Sequence, residues 1–218
     1  MTLPEPPVPG WYGKLPSLGD FATRRLSTSF VDCWDAWLSV GLAALKLQPS
    51  WPDRYLYSPS WRFVLMPGAL PGALGDAAWC GVLMPSVDSV GRYFPLTVAV
   101  AMDTPPSSWD DVEMTSTKLD ALDDAAADAL YEDWTVDAFE QALARTGSSA
   151  PAFAESDAQW QMQMRGKAIW HAAPAGEPPR ALVSDGVTEA GLAERLFGLP
   201  GQSSATDAAI WPPPAAST

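Results

Sequence analysis

Reactive side chains gather in two short stretches of this chain. Gly10-Trp-Tyr-Gly-Lys-Leu-Pro-Ser-Leu-Gly-Asp-Phe21 carries Lys14 and Asp20, with Arg24 and Arg25 just beyond it. Met84-Pro-Ser-Val-Asp-Ser-Val-Gly-Arg-Tyr-Phe-Pro-Leu-Thr97 carries Ser86, Asp88, Ser89 and Arg92. A serine hydrolase is the first chemistry to test, since Ser86 and Asp88 are present and His171 is the single histidine. No Gly-x-Ser-x-Gly elbow surrounds any serine, and one histidine beside Trp170 would be the whole general-base apparatus. Zinc is disfavoured, because one His and two distant Cys give no ligand pair at metal-binding spacing. A Mg²⁺ site from Asp20 and Asp88 would need the two loops to converge, which spacing alone does not show. No glycine-rich loop runs into Lys-Ser/Thr, so phosphoryl transfer has no signature either. No metal and no cofactor is expected.

Two readings of these polar residues stay open. In one, Lys14, Asp20, Ser86, Asp88 and Arg92 form a docking surface on rigid loops, where interaction residues often sit. Asp88 would accept bonds from loop amides, and Arg92 would reach a carboxylate or phosphate with its planar fork. In the other, Asp20 braces its loop, Lys14 forms an ordinary ion pair, and Asp88 stabilises an Asx-type turn with Arg92 pairing locally. Glycines in both stretches are turn formers, and prolines end the ladders beside them.

The elements that must position these loops follow from periodicity. Trp11 to Leu15 reads as a short strand and Pro16 to Asp20 as a turn. A helix capped by Ser27 or Thr28 runs to about Lys46, with Phe30, Trp34, Trp37, Leu38, Leu42 and Leu45 as its apolar stripe. Trp61 to Met66, Trp79 to Met84 and Tyr93 to Met102 read as strands, the last covered on both faces. One helix is predicted from Ser108 to about Tyr131, with Asp120, Asp123, Asp124 and Asp128 turned from the core, and another over Val136 to Arg145. Trp160 to Arg165 alternates as a strand. Two more short strands follow, Ile169-Trp-His and Ala181-Leu-Val-Ser, then a helix from Thr188 to Phe197. The fold class is α/β (α+β): a single domain over residues 9–200 with a largely antiparallel sheet sandwiched between helices. Residues 1–8 read as an extended Pro-rich tail and 201–218 as a disordered one.

Composition sets outer bounds. The chain has 218 residues and is 47% hydrophobic with 11 Trp, enough for one sizeable core. Trp34 and Trp37 read as core, while Trp11, Trp51, Trp61 and Trp211 are candidates for partial exposure. Cys33 and Cys80 read as small buried hydrophobes rather than a disulfide. The net charge of −13 lies wholly in residues 101–218, where six basic residues face nineteen acidic ones. That sign disfavours nucleic acid and suits either a basic partner or plain solubility. With no signal-like start and no apolar run of about 18 residues, no membrane insertion is expected.

The two stretches resemble the diagnostic blocks of the TagF (ImpM) family, accessory proteins of bacterial type VI secretion systems. The Gly-Trp-Tyr-Gly-Lys strand with Leu-Pro-Ser-Leu-Gly-Asp-Phe is similar to the family's opening, and Pro85-Ser-Val-Asp-Ser-Val-Gly-Arg-Tyr-Phe-Pro-Leu96 to its second block. Trp34, Asp35 and Trp37 in the helix between them fit as well. Gly166-Lys-Ala-Ile-Trp-His171 departs from the family's Gly-x-Ser-x-Trp-Trp at Ala168 and His171. The resemblance implies an α/β sandwich and a cytoplasmic, non-enzymatic regulator that represses the apparatus after translation, or assists its assembly, by binding its forkhead-associated (FHA) scaffold protein. Lys14, Asp20, Ser86, Asp88 and Arg92 are the expected partner-binding residues. The alternative is an enzyme acting on a small phosphorylated or acyl substrate at the same loops. A deep pocket joining both motifs would favour the enzyme, and a shallow polar patch the binding protein.

Overall fold

Side-chain alternation along the strands gives the sheet two apolar faces, and each face takes its own layer of helices. Along strand β3 (Trp61–Leu65), Phe63 and Leu65 join one core while Val64 joins the other. Strand β4 (Ala78–Met84) and strand β5 (Leu96–Met102) divide the same way, with Leu83 and Ala99 on the first side and Val82, Val98 and Val100 on the second. Strand β1 (Gly10–Gly13), strand β2 (Ala22–Arg24), strand β6 (Ala168–Ala172) and strand β7 (Arg180–Ser184) complete one seven-stranded sheet in the order β2-β1-β5-β4-β3-β6-β7. Every pairing in it is antiparallel. The computed structural model describes residues 8–146, 151, 153, 157–174 and 176–198. Both expected tails lie outside this set except for Val8, as does most of the loop expected after Arg145.

The first face is covered by helix α1 (Thr28–Leu45), helix α2 (Trp51–Leu56) and, near the end of the described chain, helix α7 (Leu192–Leu196). Ser27 caps α1 by accepting from the Phe30 amide, as its sequence implied. The apolar stripe of α1 is buried in full, with Trp34 against Phe63 and Trp37 against Trp170. Gly41 lets α7 approach, since a Cβ there would strike Ala193.

The second face is covered by helix α3 (Trp109–Lys118), helix α4 (Asp120–Tyr131), helix α5 (Val136–Thr146) and helix α6 (Ala158–Met164). Leu119, Leu122, Phe139 and Leu143 are fully buried there. Helices α3 to α6, all from the acidic half of the sequence, therefore form the layer opposite α1, with Asp110, Asp120, Asp124 and Asp128 exposed.

Several sequence expectations need correction. Residues 160–164 are helical rather than extended: Asp157 caps α6 by accepting from the Gln159 and Trp160 amides. The helix buries no residue completely, so its Gln/Met alternation carried no burial signal. The expected single helix 108–131 divides at Leu119, whose ψ of −7° departs from the helical value. Asp123 turns back onto β3 instead of facing solvent. Strand β2 and helix α2 had not been expected. Helix α7 is shorter than predicted and begins after Gly191 in a left-handed conformation, without a Thr188 cap. Trp11 and Trp61 are buried, their indole N–H groups donating to Glu140 and to the Leu196 carbonyl. Trp211 lies outside the described residues. Cys33 and Cys80 are free thiols, and burial pushes Cys80 up to about 12.

Candidate functional site

The two motifs meet at one end of the sheet. Gly13 ends β1 with φ +136°, a conformation and a clearance only glycine allows, because a Cβ would strike the Pro95 carbonyl that leads into β5. Lys14 is thereby turned inward. Its side chain, in a residue only 2% exposed, donates to Asp88 Oδ2 at 2.5 Å, and its Nζ lies 4.6 Å from the centre of the Phe21 ring.

Asp88 organises the loop between β4 and β5. Its Oδ1 accepts from the amides of Val90 (3.1 Å) and Arg92 (2.8 Å), the Asx-type pattern, and Oδ2 accepts from Arg92 Nε at 2.7 Å as well as from Lys14. Burial alone would raise this carboxyl. The bonds from Lys14, Arg92 and Val90 outweigh it and hold Asp88 far below the usual carboxylate range. Arg92 also donates to the Gly19 carbonyl, so one guanidinium ties the second loop to the first.

Ser86 completes the bracket. Its hydroxyl donates to the Lys14 carbonyl at 2.8 Å. The Tyr55 hydroxyl donates to the Ser86 carbonyl (3.0 Å) and accepts from the Ser86 amide (2.9 Å), which fixes α2 beneath the loop. Trp51 and Tyr55 both pack edge-on against Tyr93. Under the first loop, Phe21 stacks on Tyr12 and meets Phe94 edge-on at 4.7 Å. Tyr12 in turn donates to Asp35 of α1, and burial followed by that bond pushes its hydroxyl well above the ordinary tyrosine range.

The structure thus brings Lys14, Ser86, Asp88 and Arg92 together and separates their roles. Lys14, Ser86 and Asp88 are buried, so they act on the surface only through the loops they hold. Asp20 and Arg92 stand at the surface, with Asp20 accepting from the Phe21 amide. Beside them, Phe21 is 45% exposed and Val90 67% exposed, two apolar contacts that polarity-based selection of site residues passed over. Tyr55 was missed because α2 was missed, although Ser50 followed by Pro52 near the helix start is a recognisable opening. Arg25 belongs elsewhere, pairing with Glu140 of α5, and Arg24 lies over the Trp11 ring.

His171 is engaged away from Ser86 and Asp88: it faces α3, where its Nδ1 is 3.0 Å from Ser116 Oγ. An open groove of about 590 Å³ runs along Leu18 to Arg24 with Val136 on its far wall, reaching the first motif and no residue of the second. Among the described residues, no group of three His, Cys, Asp or Glu is placed to hold a metal ion, and no helix is long and apolar enough to cross a membrane.

Comparison with known proteins follows the same residues. Residues 10–146 match the family model described as the TagF N-terminal domain, type VI secretion system-associated. The crystal structure of PA0076 from Pseudomonas aeruginosa PAO1 is similar, at 32% identity and a TM-score of 0.72, over 90% of this chain and 96% of that one. No curated protein matches.

Proposed function

Since the chain belongs to the TagF family of type VI secretion system-associated proteins, we propose that it is a non-enzymatic regulator of such a system, repressing it in the cytoplasm by binding its FHA scaffold protein. The observation that carries this reading is the rigid tip at the end of the sheet. Asp20, Phe21, Val90 and Arg92 are exposed there, over a buried lattice of Lys14, Ser86 and Asp88 whose bonding capacity is spent on holding the loops. A preorganised surface of mixed apolar and charged groups suits docking, because little ordering remains to oppose association. The groove beside it is open and stops short of the second motif, which favours binding over turnover of a small substrate.

Repression on this reading is sequestration: the tip occupies the scaffold until an activating signal releases it. Titration calorimetry against the FHA scaffold of the same system tests it. Saturable binding by the wild type, weakened at least tenfold by Val90→Glu with the fold intact, is the expected outcome. Binding unaffected by Val90→Glu and Arg92→Ala would remove the tip from the interface, and absence of binding would remove the scaffold as the partner.

A further inference from the structure

Beside the tip, the sheet ends on an open edge. Strand β2 is terminal in the sheet, and no further strand pairs with it among the described residues. The Thr23 carbonyl accepts from the guanidinium of its neighbour Arg24 at 2.8 Å, in the place where a next strand would bond. Arg24 is exposed, lies over the Trp11 ring and forms no ion pair among the described residues. Glu140, the carboxylate whose acidity it strengthens, is already held by Arg25 and the Trp11 indole. The open groove along Leu18 to Arg24 follows this edge. Its apolar lining continues the second core, against which Leu18, Ala22 and Val136 pack half-buried. The far wall is pinned on either side of Val136: Ser17 Oγ donates to the Trp134 carbonyl at 2.6 Å, and Arg25 pairs with Glu140 of α5.

We propose that this groove takes an extended segment of the partner that docks on the tip, added to β2 as a strand with an apolar and a carboxylate side chain at alternate positions. Arg24 is in register with Trp11 of the second core and Thr23 with Tyr12 of the first, so Ala22 and Arg24 share the groove side while Thr23 turns to the other face. An added strand repeats that alternation. One of its residues rests on Leu18, Ala22 and Val136, and the residue two along reaches Arg24. Charge selects a carboxylate there, since the exposed guanidinium can take both carboxylate oxygens with its planar fork. Asp20 lines the tip end of the groove and repels a carboxylate at that end, which sets the register. A three-residue edge bearing an arginine resists indiscriminate pairing, so the occupant must match that charge. Asp20 and Phe21 belong to both the groove and the tip, so one partner covers the two without a break.

This inference rests on the docking reading, and one calorimetric series separates the two. The full chain is titrated with the FHA scaffold at two salt concentrations, as wild type, Arg24→Gln, Thr23→Pro, Thr23→Val and Val90→Glu, with thermal melts as the folding control and sedimentation for the oligomeric state. Arg24→Gln, at an exposed position, is expected to weaken binding about tenfold and to flatten its salt dependence. Thr23→Pro removes an amide hydrogen from the open side of β2 and is expected to weaken binding as much, while Thr23→Val keeps the backbone and binds as wild type. Arg24→Gln covers the case in which Thr23→Pro does not fold. If Arg24→Gln and Thr23→Pro bind as wild type while Val90→Glu does not, the groove is overturned and the tip stands. If Thr23→Val weakens binding as much as Thr23→Pro, backbone pairing is not the mode and strand addition is wrong. If nothing binds, both readings fall. If the wild type is a dimer that Thr23→Pro dissociates, the occupant is a second copy and the proposal of a partner segment is wrong.

Discussion

Two carboxylates, Asp88 and Asp123, are each drawn from the surface toward a cation, and their acidities move in opposite directions. Asp88 receives Lys14, Arg92 and two loop amides, and is held far below the ordinary range despite its burial. Asp123 receives Ser60 and Arg62, and Arg62 is shared with Asp120. Burial, reinforced by the neighbouring Asp124, pushes its carboxyl up. Distance to a cation is therefore a poor guide to what a buried charge contributes. Asp88 gathers two cations and two loop amides, whereas Asp123 has one arginine shared with Asp120, a hydroxyl, and the like charge of Asp124 beside it. By that measure the Lys14–Asp88–Arg92 lattice is the device that fixes the tip, and the Arg62 cluster is a softer tie between β3 and α4.

The most direct way to break this contrast is Asp88→Ala, which strands the buried Lys14 ammonium and unties both loops. A fall in Tm of about 10 °C is expected by calorimetry, with loss of scaffold binding. Lys14→Met is expected to cost less, because Arg92 and the two amides still satisfy Asp88. A Lys14→Met variant as unstable as Asp88→Ala would shift the weight of the lattice from the carboxylate to the ammonium.

That lattice explains why family motifs were legible where function was not. Trp34 donates to Thr97 at 2.8 Å, Tyr12 to Asp35 and Lys14 to Asp88, so the three stretches singled out in the sequence are bonded to one another. Long loops rich in Gly, Pro and charge announce a junction, and periodicity placed α1 and the strands β3 to β5 around it. Nothing local told Lys14 from a surface lysine, because its burial follows from the turn at Gly13 and the approach of Pro95 across the sheet. The α6 error has a related cause: a two-residue alternation means a strand only when one face is buried, and α6 buries none of its residues completely.

Acid titration sharpens the comparison at smaller amplitude. Folding favours ionised Asp88, so its contribution is complete above about pH 4 and is lost as pH falls through the lowered native value. Folding favours protonated Asp123, so its contribution declines as pH rises through the raised native value. Asp88→Asn should therefore remove stability at pH 7 and flatten the acid limb of the denaturation profile. Asp123→Asn should leave stability at pH 7 within about 1 kcal/mol of wild type, because removing a poorly satisfied buried charge offsets the lost bonds to Arg62. Equal losses in the two variants, read from urea midpoints, would end the distinction.

The smallest effect belongs to His171, and it can be read alone because the chain has one histidine. The ring is half-buried against α3, beside Ser116, with Arg62, Asp120 and Glu113 as the charges that face it. Burial and then Arg62 lower its pKa, outweighing the pull of Asp120 and Glu113. Folding thus prefers the neutral ring. Stability is complete above about pH 6.5 and declines as pH falls through that value toward the native one. With the ring partly in solvent, the decline is small beside the losses expected at Asp88. His171→Gln keeps a polar group facing Ser116 and should abolish the slope, while leaving scaffold binding unchanged because β6 lies across the sheet from β2. A His171→Gln variant with altered binding would mean that α3 and its acidic neighbours also take part in docking, and recognition would no longer be confined to the β2 half of the sheet.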